Sequence, residues 1–371
     1  MYYAVLVTGA IFSILNKRKL AVVFTLLLTA LAFLRYGVGT DYFSYEFLYN
    51  RLQDSVFNEM RYGIDLNEIG FRGIGSLLKS IGLIYQQYLI FFATANMFFV
   101  YKTCKEYSKN PALSMFLYFC LYYLIWTFSG IRQGVTIAIG VYYLLEVIKK
   151  NKPLKFIIVV LLLSLIHASA LFLLILYCVS KLKISKNQLL IFTIFCLIVS
   201  ILPIGVMISK MTWIPFYQKI NWYTNAELSI NLFDFQSLGR IGFLTIAFYF
   251  YNLCAREGEF MMKVTNVYIV GLSMYFIFQF SELTAARLSI YAQYLNIIIL
   301  ANILYFYKTT ITKTLYLYCL FIFCFLFLFK NAISMEKNFE RINYVNTKIT
   351  PYVNIFTKDD YIFSSKYYIS N

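Results

Sequence analysis

Four short stretches of this 371-residue chain break otherwise apolar sequence with side chains suited to bond-making chemistry. "LRYGVGTDYFSYE", residues 34–46, sets Arg35 and Asp41 around Gly37 and Gly39 and follows them with Tyr42 and Tyr45. Glycines there let a backbone turn sharply or approach a ligand closely. The charges read either as part of a binding site or as an interfacial Arg–Asp pair within a belt of tyrosines. "TFSGIRQGVTIAIG", residues 127–140, holds Arg132 and Gln133 in a short turn between two apolar runs. A guanidinium in that place offers five forked donors to phosphate oxygens. Snorkelling is the plainer reading, but it leaves the neighbouring Gln133 and Gly134 unexplained. "SLIHASALF", residues 164–172, carries the single histidine, His167, which reads either as a hydrogen-bonded structural residue or as a general base. "FSELTAARLSIYAQYL", residues 280–295, contributes Glu282, Arg287 and Tyr291. Glu282 and Arg287 either pair across a turn or leave Arg287 to join Arg35 and Arg132 in a cationic pocket. An anionic head group is the natural occupant of such a pocket, and a lipid diphosphate is the candidate.

Other chemistry finds no support in the pattern. The chain has no Walker loop, no Rossmann glycine fingerprint after a strand, no HExxH and no serine-hydrolase elbow. "GVGTDY" follows an apolar helix and lacks a GK[ST] ending, which argues against ATP-driven chemistry. The seven cysteines lie in or beside hydrophobic runs without a CxxC or metal-ligand spacing, so they read as small core residues. No metal and no cofactor is expected. A net charge of +16 would suit nucleic acid if gathered on one surface. Here the basic residues are scattered between apolar runs, which points to membrane topology and away from nucleic acid.

The elements that must position these residues are membrane helices. The chain is 61% hydrophobic and 13% charged, with a mean hydropathy of +0.68, outside the range of soluble domains. Apolar runs recur at lengths suited to helices rather than to barrel strands. The expected architecture is an all-α polytopic membrane domain over residues 1–330, with about twelve spans: 2–15, 20–34, 85–101, 111–128, 134–148, 154–166, 168–180, 188–208, 239–255, 264–280, 289–307 and 314–329. The first run lacks a basic leader and a cleavage site and reads as a retained helix. The two short runs around His167 read either as separate spans or as one broken element. Crossing at every run collects short basic loops on one side and long mixed loops, 35–84 and 209–238, on the other. By the positive-inside rule the long loops, both termini and the candidate site then lie outside. The tail, 331–371, alternates apolar with polar residues around "RINYVNTKITPYVNIF" and is expected to fold back on the outer face.

Taken in order, "RYGVGTDYFSY" (35–45), "NEIGFRGI" (67–74), "GIRQGVTIAIGVYYL" (130–144) and "IHASALFLL" (166–174) resemble the EpsG family of bacterial polysaccharide polymerases, relatives in role of the Wzy O-antigen and capsule polymerases. The resemblance covers about the first half of the chain, with weaker support from Arg287 and "TPY" at 350–352. Ile69 stands where many relatives carry proline, and Ala168 where they often carry lysine. What the resemblance implies is a GT-C-type glycosyltransferase of the bacterial inner (plasma) membrane. Such an enzyme joins undecaprenyl-diphosphate-linked oligosaccharide repeats at the outer face, surrounded by membrane lipid, with a flippase and a chain-length regulator as candidate partners. His167, Arg132 and Asp41 are then the expected catalytic residues, with His167 preferred over Asp41 as base. Arg35, Arg287, Gln133, Tyr42, Tyr45, Glu68 and Tyr291 are the expected substrate contacts, and tyrosines with Trp213 and Trp222 supply ring faces for sugars. Two rival readings are a flippase for the same lipid-linked unit, disfavoured by the lack of a clear inverted repeat, and a membrane acyltransferase.

Overall fold

Long apolar runs with few turn residues can satisfy their backbone polar groups in a bilayer only by coiling, and the described residues are mostly helical. The computed structural model describes residues 1–63, 68–202, 204, 207, 232–342 and 352–358. Asn67, Trp213, Trp222, most of the expected loop 209–238 and the tail segments 343–351 and 359–371 lie outside the described residues. Among those described there is no strand, and one isolated bridge joins Arg35 to Asn354.

The elements are α1 (Tyr2–Leu15), α2 (Arg18–Leu34), α3 (Tyr42–Arg51), α4 (Val56–Tyr62), α5 (Ile69–Ser80), α6 (Tyr85–Tyr107) and α7 (Pro111–Tyr118), which runs into a π-helix (Phe119–Thr127). After these come α8 (Ile131–Lys150), α9 (Pro153–Ser164), a 3₁₀ turn (Ala168–Leu171), α10 (Phe172–Lys181) and α11 (Lys186–Val199). The last are α12 (Phe235–Arg256), α13 (Glu259–Ile277), α14 (Glu282–Gln293), α15 (Asn296–Ile303) and α16 (Thr310–Ile342). Local sequence sets several starts. Asn110 accepts from the Leu113 amide ahead of Pro111 at the first turn of α7, and Ser185 with Gln188 forms a capping box on α11.

Among the described residues, four helices are long and apolar enough to cross a membrane: α8, α12, α13 and the part of α16 from Thr310 to Ser334. The pair α14 and α15, bent by 41° at their junction, brings the number to five if the two are counted as one broken span. Five further apolar helical stretches, Tyr2–Leu15, Pro111–Thr127, Pro153–Ser164, Ala168–Lys181 and Lys186–Val199, have 10–17 residues, short of the roughly 20 that span a bilayer upright. The run around His167 is broken: α9 ends at Ser164 and the 3₁₀ turn starts at Ala168. The expected loop 35–84 is itself largely helical, since it holds α3, α4 and α5. Their apolar positions come in groups too short to register as spans.

Two compact units divide the chain. In the first, built from the described parts of Met1–Tyr142, Leu161–Ala170 and Leu300–Asn371, α1 packs on α7, α2 on α6, and α16 on the π-helix. Its core beside α3 is aromatic, with Tyr42, Tyr45, Tyr49, Phe71, Tyr85, Tyr88 and Phe92 buried together. In the second, Tyr143–Val160 and Leu171–Ile299, helix α13 is the centre against which α10, α11, α12 and α14 pack. Gly271 makes that closeness possible, because a Cβ there would come within 2.4 Å of the Ala292 side chain.

Candidate functional site

Arg132 is the second residue of α8, and the turn before it is held from both directions. The π-helix ends at Thr127, and a Cβ on Gly134 would lie 1.8 Å from the Trp126 carbonyl oxygen, so only glycine lets α8 start this close to the preceding helix. Phe128 and Ser129 are fixed from the other side by residues 35–40. Arg35 is 1% exposed, and each of its three guanidinium nitrogens donates to a main-chain carbonyl: Nε to Val38 at 3.1 Å, Nη2 to Phe128 at 2.9 Å, and Nη1 to Ala32. Gly39, at φ +108°, leaves room for the Phe128 carbonyl, which a Cβ would meet at 2.7 Å, and the Thr40 amide donates to Ser129 Oγ at 3.1 Å. No Arg35–Asp41 ion pair forms. Arg35 instead lies over the Phe128 and Tyr42 rings, 5.0 and 5.9 Å from their centroids.

Residues 352–358 lie along the far edge of this loop. The Tyr36 amide donates to Val353 O and the Ile355 amide to Leu34 O, each at 2.9 Å, and Tyr352 donates its hydroxyl to Leu31 O. Gln86 ties the same loop to α6, donating to the carbonyls of Phe33 and Arg35 and accepting from Tyr42.

So held, Arg132 places Nη1 2.7 Å from Glu68 Oε2 and Nε 3.5 Å from the Tyr45 hydroxyl. Its guanidinium sits over Phe71 and Tyr45, 5.2 and 5.7 Å from the ring centroids. The pair is neither sealed nor fully wet, with the Arg132 side chain 19% and that of Glu68 26% exposed. Glu68 reaches a second segment through its other oxygen, which accepts from the Ala168 amide at 3.3 Å. Gly70 makes this reach possible: its amide donates to Leu165 O at 2.8 Å, and a Cβ would meet that same carbonyl at 2.8 Å. Each residue of the Glu-Ile-Gly-Phe sequence except Ile69 thus has a task in the cluster.

His167 stands in the break between α9 and the 3₁₀ turn, with Nδ1 2.7 Å from Ser169 Oγ. It is close enough to Glu68 for its charge to act on that carboxyl. Burial works to raise the Glu68 carboxyl, but main-chain hydrogen bonds, the Arg132 charge and then the His167 charge outweigh it and hold Glu68 below the usual carboxylate range. A cation able to grip phosphate oxygens, a carboxylate and an imidazole thus share one half-buried place, and three of the four sequence motifs supply them. The fourth, residues 35–45, provides Tyr45 and the support behind Arg132.

The other expected site residues are placed differently. Tyr42 and Tyr45 are 1% and 7% exposed and their ring faces meet protein: Tyr42 packs on Tyr85 and Phe43, and Tyr45 on Phe71. Gln133 is buried on α8. Asp41 precedes α3, where its carboxylate accepts from the Thr40 hydroxyl at 3.2 Å. Arg287 and Tyr291 belong to the second unit, where Tyr291 is buried in α14. Glu282 does not pair with Arg287; it accepts from Gln236 Nε2 at 2.6 Å. Sequence reasoning missed Gln86 and noted Ser129 and Ser169 without giving either a role; Gln86 and Ser129 act on segments far away in the chain. Only Ser169, two residues from the lone histidine, carried a local signal. Among the described residues, no three His, Cys, Asp or Glu side chains gather as metal ligands would.

The model of the EpsG family matches residues 18–354 of the chain. No curated protein and no solved structure matches it.

Proposed function

The chain belongs to the EpsG family, a Wzy-like polysaccharide polymerase family, and we propose that it joins undecaprenyl-diphosphate-linked oligosaccharide repeats into a glycan without a metal ion. The observation that carries this reading is the Arg132–Glu68–Ala168 connection, which links a cation suited to phosphate oxygens to the segment of the lone histidine. In the proposed reaction the hydroxyl oxygen of the acceptor sugar attacks the anomeric carbon of the donor. The bond from that carbon to the phosphate oxygen breaks, and its electron pair leaves with the lipid diphosphate. Arg132 stabilises the charge that grows there, in a site half shielded from water where a fixed donor counts for more than in solution. His167 takes the proton from the attacking hydroxyl. Glu68 orients Arg132 and favours a positive charge on the imidazole as the proton arrives.

His167 is preferred to Asp41 as base because the Glu68 carboxylate ties its segment to Arg132. Arg35 is assigned a supporting role, since its nitrogens are engaged by carbonyls, and Tyr42 and Tyr45 support the same turn. Gln133 acts from behind Arg132. The chemistry proposed here uses residues of the first unit alone. Twelve crossings of the bacterial inner membrane, a GT-C-type arrangement and a site and termini on the outer face complete the proposal, supported by the alternation of short basic with long mixed loops. Reconstitution with defined lipid-linked repeats tests it. A ladder of lengthening products that survives chelator is expected. Transbilayer movement of single repeats without any ladder would replace the polymerase with a flippase.

A further inference from the structure

Helices α4 and α5 bury one side and leave an apolar row on the other. On the inner side, Arg72 pairs with the buried Glu59 at 3.2 Å, Phe71 and Ser76 are buried, and a Cβ on Gly75 would come within 2.4 Å of the Leu52 side chain. On the outer side Phe57 is 69%, Leu77 54% and Ile81 66% exposed, with Val56, Met60 and Ile69 also exposed. These residues form one surface. Ile69, Gly73 and Leu77 follow each other at four-residue spacing, which stacks them on a single helix face. Met60 lies 3.5 Å from where a Gly73 Cβ would stand, and so joins the α4 edge to that row; Val56 and Phe57 are one turn back on the same side of α4.

A patch of this kind in an aqueous loop would be a liability. At 7 and 12 residues the two helices are too short to cross a bilayer. Exposed basic residues stand close by in the chain: Arg61 on α4 and Arg51 at the end of α3 stack on Tyr62 and Phe47, at 5.3 and 5.1 Å, as basic and aromatic residues do at lipid head groups. We propose that α4 and α5 lie flat in the membrane interface, with the row from Phe57 through Met60 and Leu77 to Ile81 sunk among acyl chains and Arg51 and Arg61 among anionic head groups. Helices α4 and α5 are therefore in-plane membrane elements, not parts of a water-borne loop. Glu68, which opens α5, is held at head-group depth. This inference is independent of the reaction proposed above.

The test is a photo-crosslinking residue (p-benzoylphenylalanine) placed singly at Phe57, Leu77, Asp54 and Leu326 in the full-length protein, reconstituted in phosphatidylethanolamine–phosphatidylglycerol vesicles and read by intact mass. Leu326 lies on the apolar helix α16 and serves as the lipid-facing reference, and Asp54 is 81% exposed at the polar edge. After irradiation, Phe57 and Leu77 are expected to gain the mass of one phospholipid, as Leu326 does, and Asp54 to gain none. Lipid adducts at Leu326 with none at Phe57 and Leu77 would overturn the proposal. So would chain-to-chain adducts at these two positions, which would make the row a contact between copies.

Discussion

Replacing Arg132 by lysine separates charge from geometry at the site. The guanidinium points in two directions at once, with Nη1 2.7 Å from Glu68 and Nε 3.5 Å from the Tyr45 hydroxyl. A lysine ammonium is a single point at the end of a flexible stem. It can keep the carboxylate but not the fork. If the remaining nitrogens of Arg132 grip the departing diphosphate, losing one such donor costs about 2.7–4 kcal/mol of transition-state stabilisation, or roughly 10²–10³ in rate. The folded state loses far less, because the charge pair with Glu68 survives; what goes is the long Nε contact to Tyr45 and the stacking over Phe71 and Tyr45, each stack worth about 0.5–1 kcal/mol. The assay is initial polymerisation rate in proteoliposomes carrying lipid-linked repeats, alongside protein level and thermal midpoint. Arg132→Lys is expected at normal level with a nearly unchanged midpoint and a rate lowered by about 10²–10³. A variant that polymerises at the wild-type rate would refute the phosphate-gripping role, since the fork would then do nothing that a point charge cannot.

Other expectations follow from the same contacts. Glu68 has a depressed folded value, so its stabilising contribution is complete above the ordinary carboxylate range, near ~4.3, and is lost as pH falls through the folded value; Glu68→Gln should flatten the thermal midpoint in that acid window. Glu46 has the opposite sign: burial raises its carboxyl, against a smaller lowering by Lys358, and its Oε2 is buried without a hydrogen-bond partner. Glu46→Gln should therefore raise the midpoint at neutral pH, with the gain vanishing below about pH 4, where the unfolded carboxyl is protonated too. Gly134→Ala forces a Cβ onto the Trp126 carbonyl and should cost at least the ~1–3 kcal/mol of ordinary overpacking, whereas Gly242→Ala, with nothing within 4 Å, should be neutral or stabilising by denaturation midpoint.

The helical class and the chemical motifs were legible in the sequence because each rests on local pattern. Apolar run length announces membrane helices, and arginine, glutamate and histidine stand out against that background. The meeting of Arg132, Glu68 and the His167 turn was not readable from spacing, for it depends on α5 pressing Gly70 against Leu165 across about a hundred residues of chain. Arg35 shows a different limit. Its position at a helix end suggested a pair with Asp41 or an anionic substrate, yet carbonyls at the end of α2, in the loop after it and in the Phe128 turn take a bond from each of its nitrogens. Tyr42 and Tyr45 looked like belt or sugar-binding residues, and an aromatic core took them because α3, hidden inside an expected loop, folds onto α6. Span number was the least legible feature, since a helix of 10–17 apolar residues and a crossing helix differ little in composition.

Chain extension by a His167→Gln variant tests the Arg132–Glu68–His167 site most directly, measured beside binding of the lipid diphosphate in the same reconstituted membranes. Glutamine keeps a polar side chain but cannot take a proton at neutral pH. Binding should persist while extension falls by about 10²–10⁴, the share a positioned base contributes. Extension at the wild-type rate would contradict the account, and the cluster would then be structural.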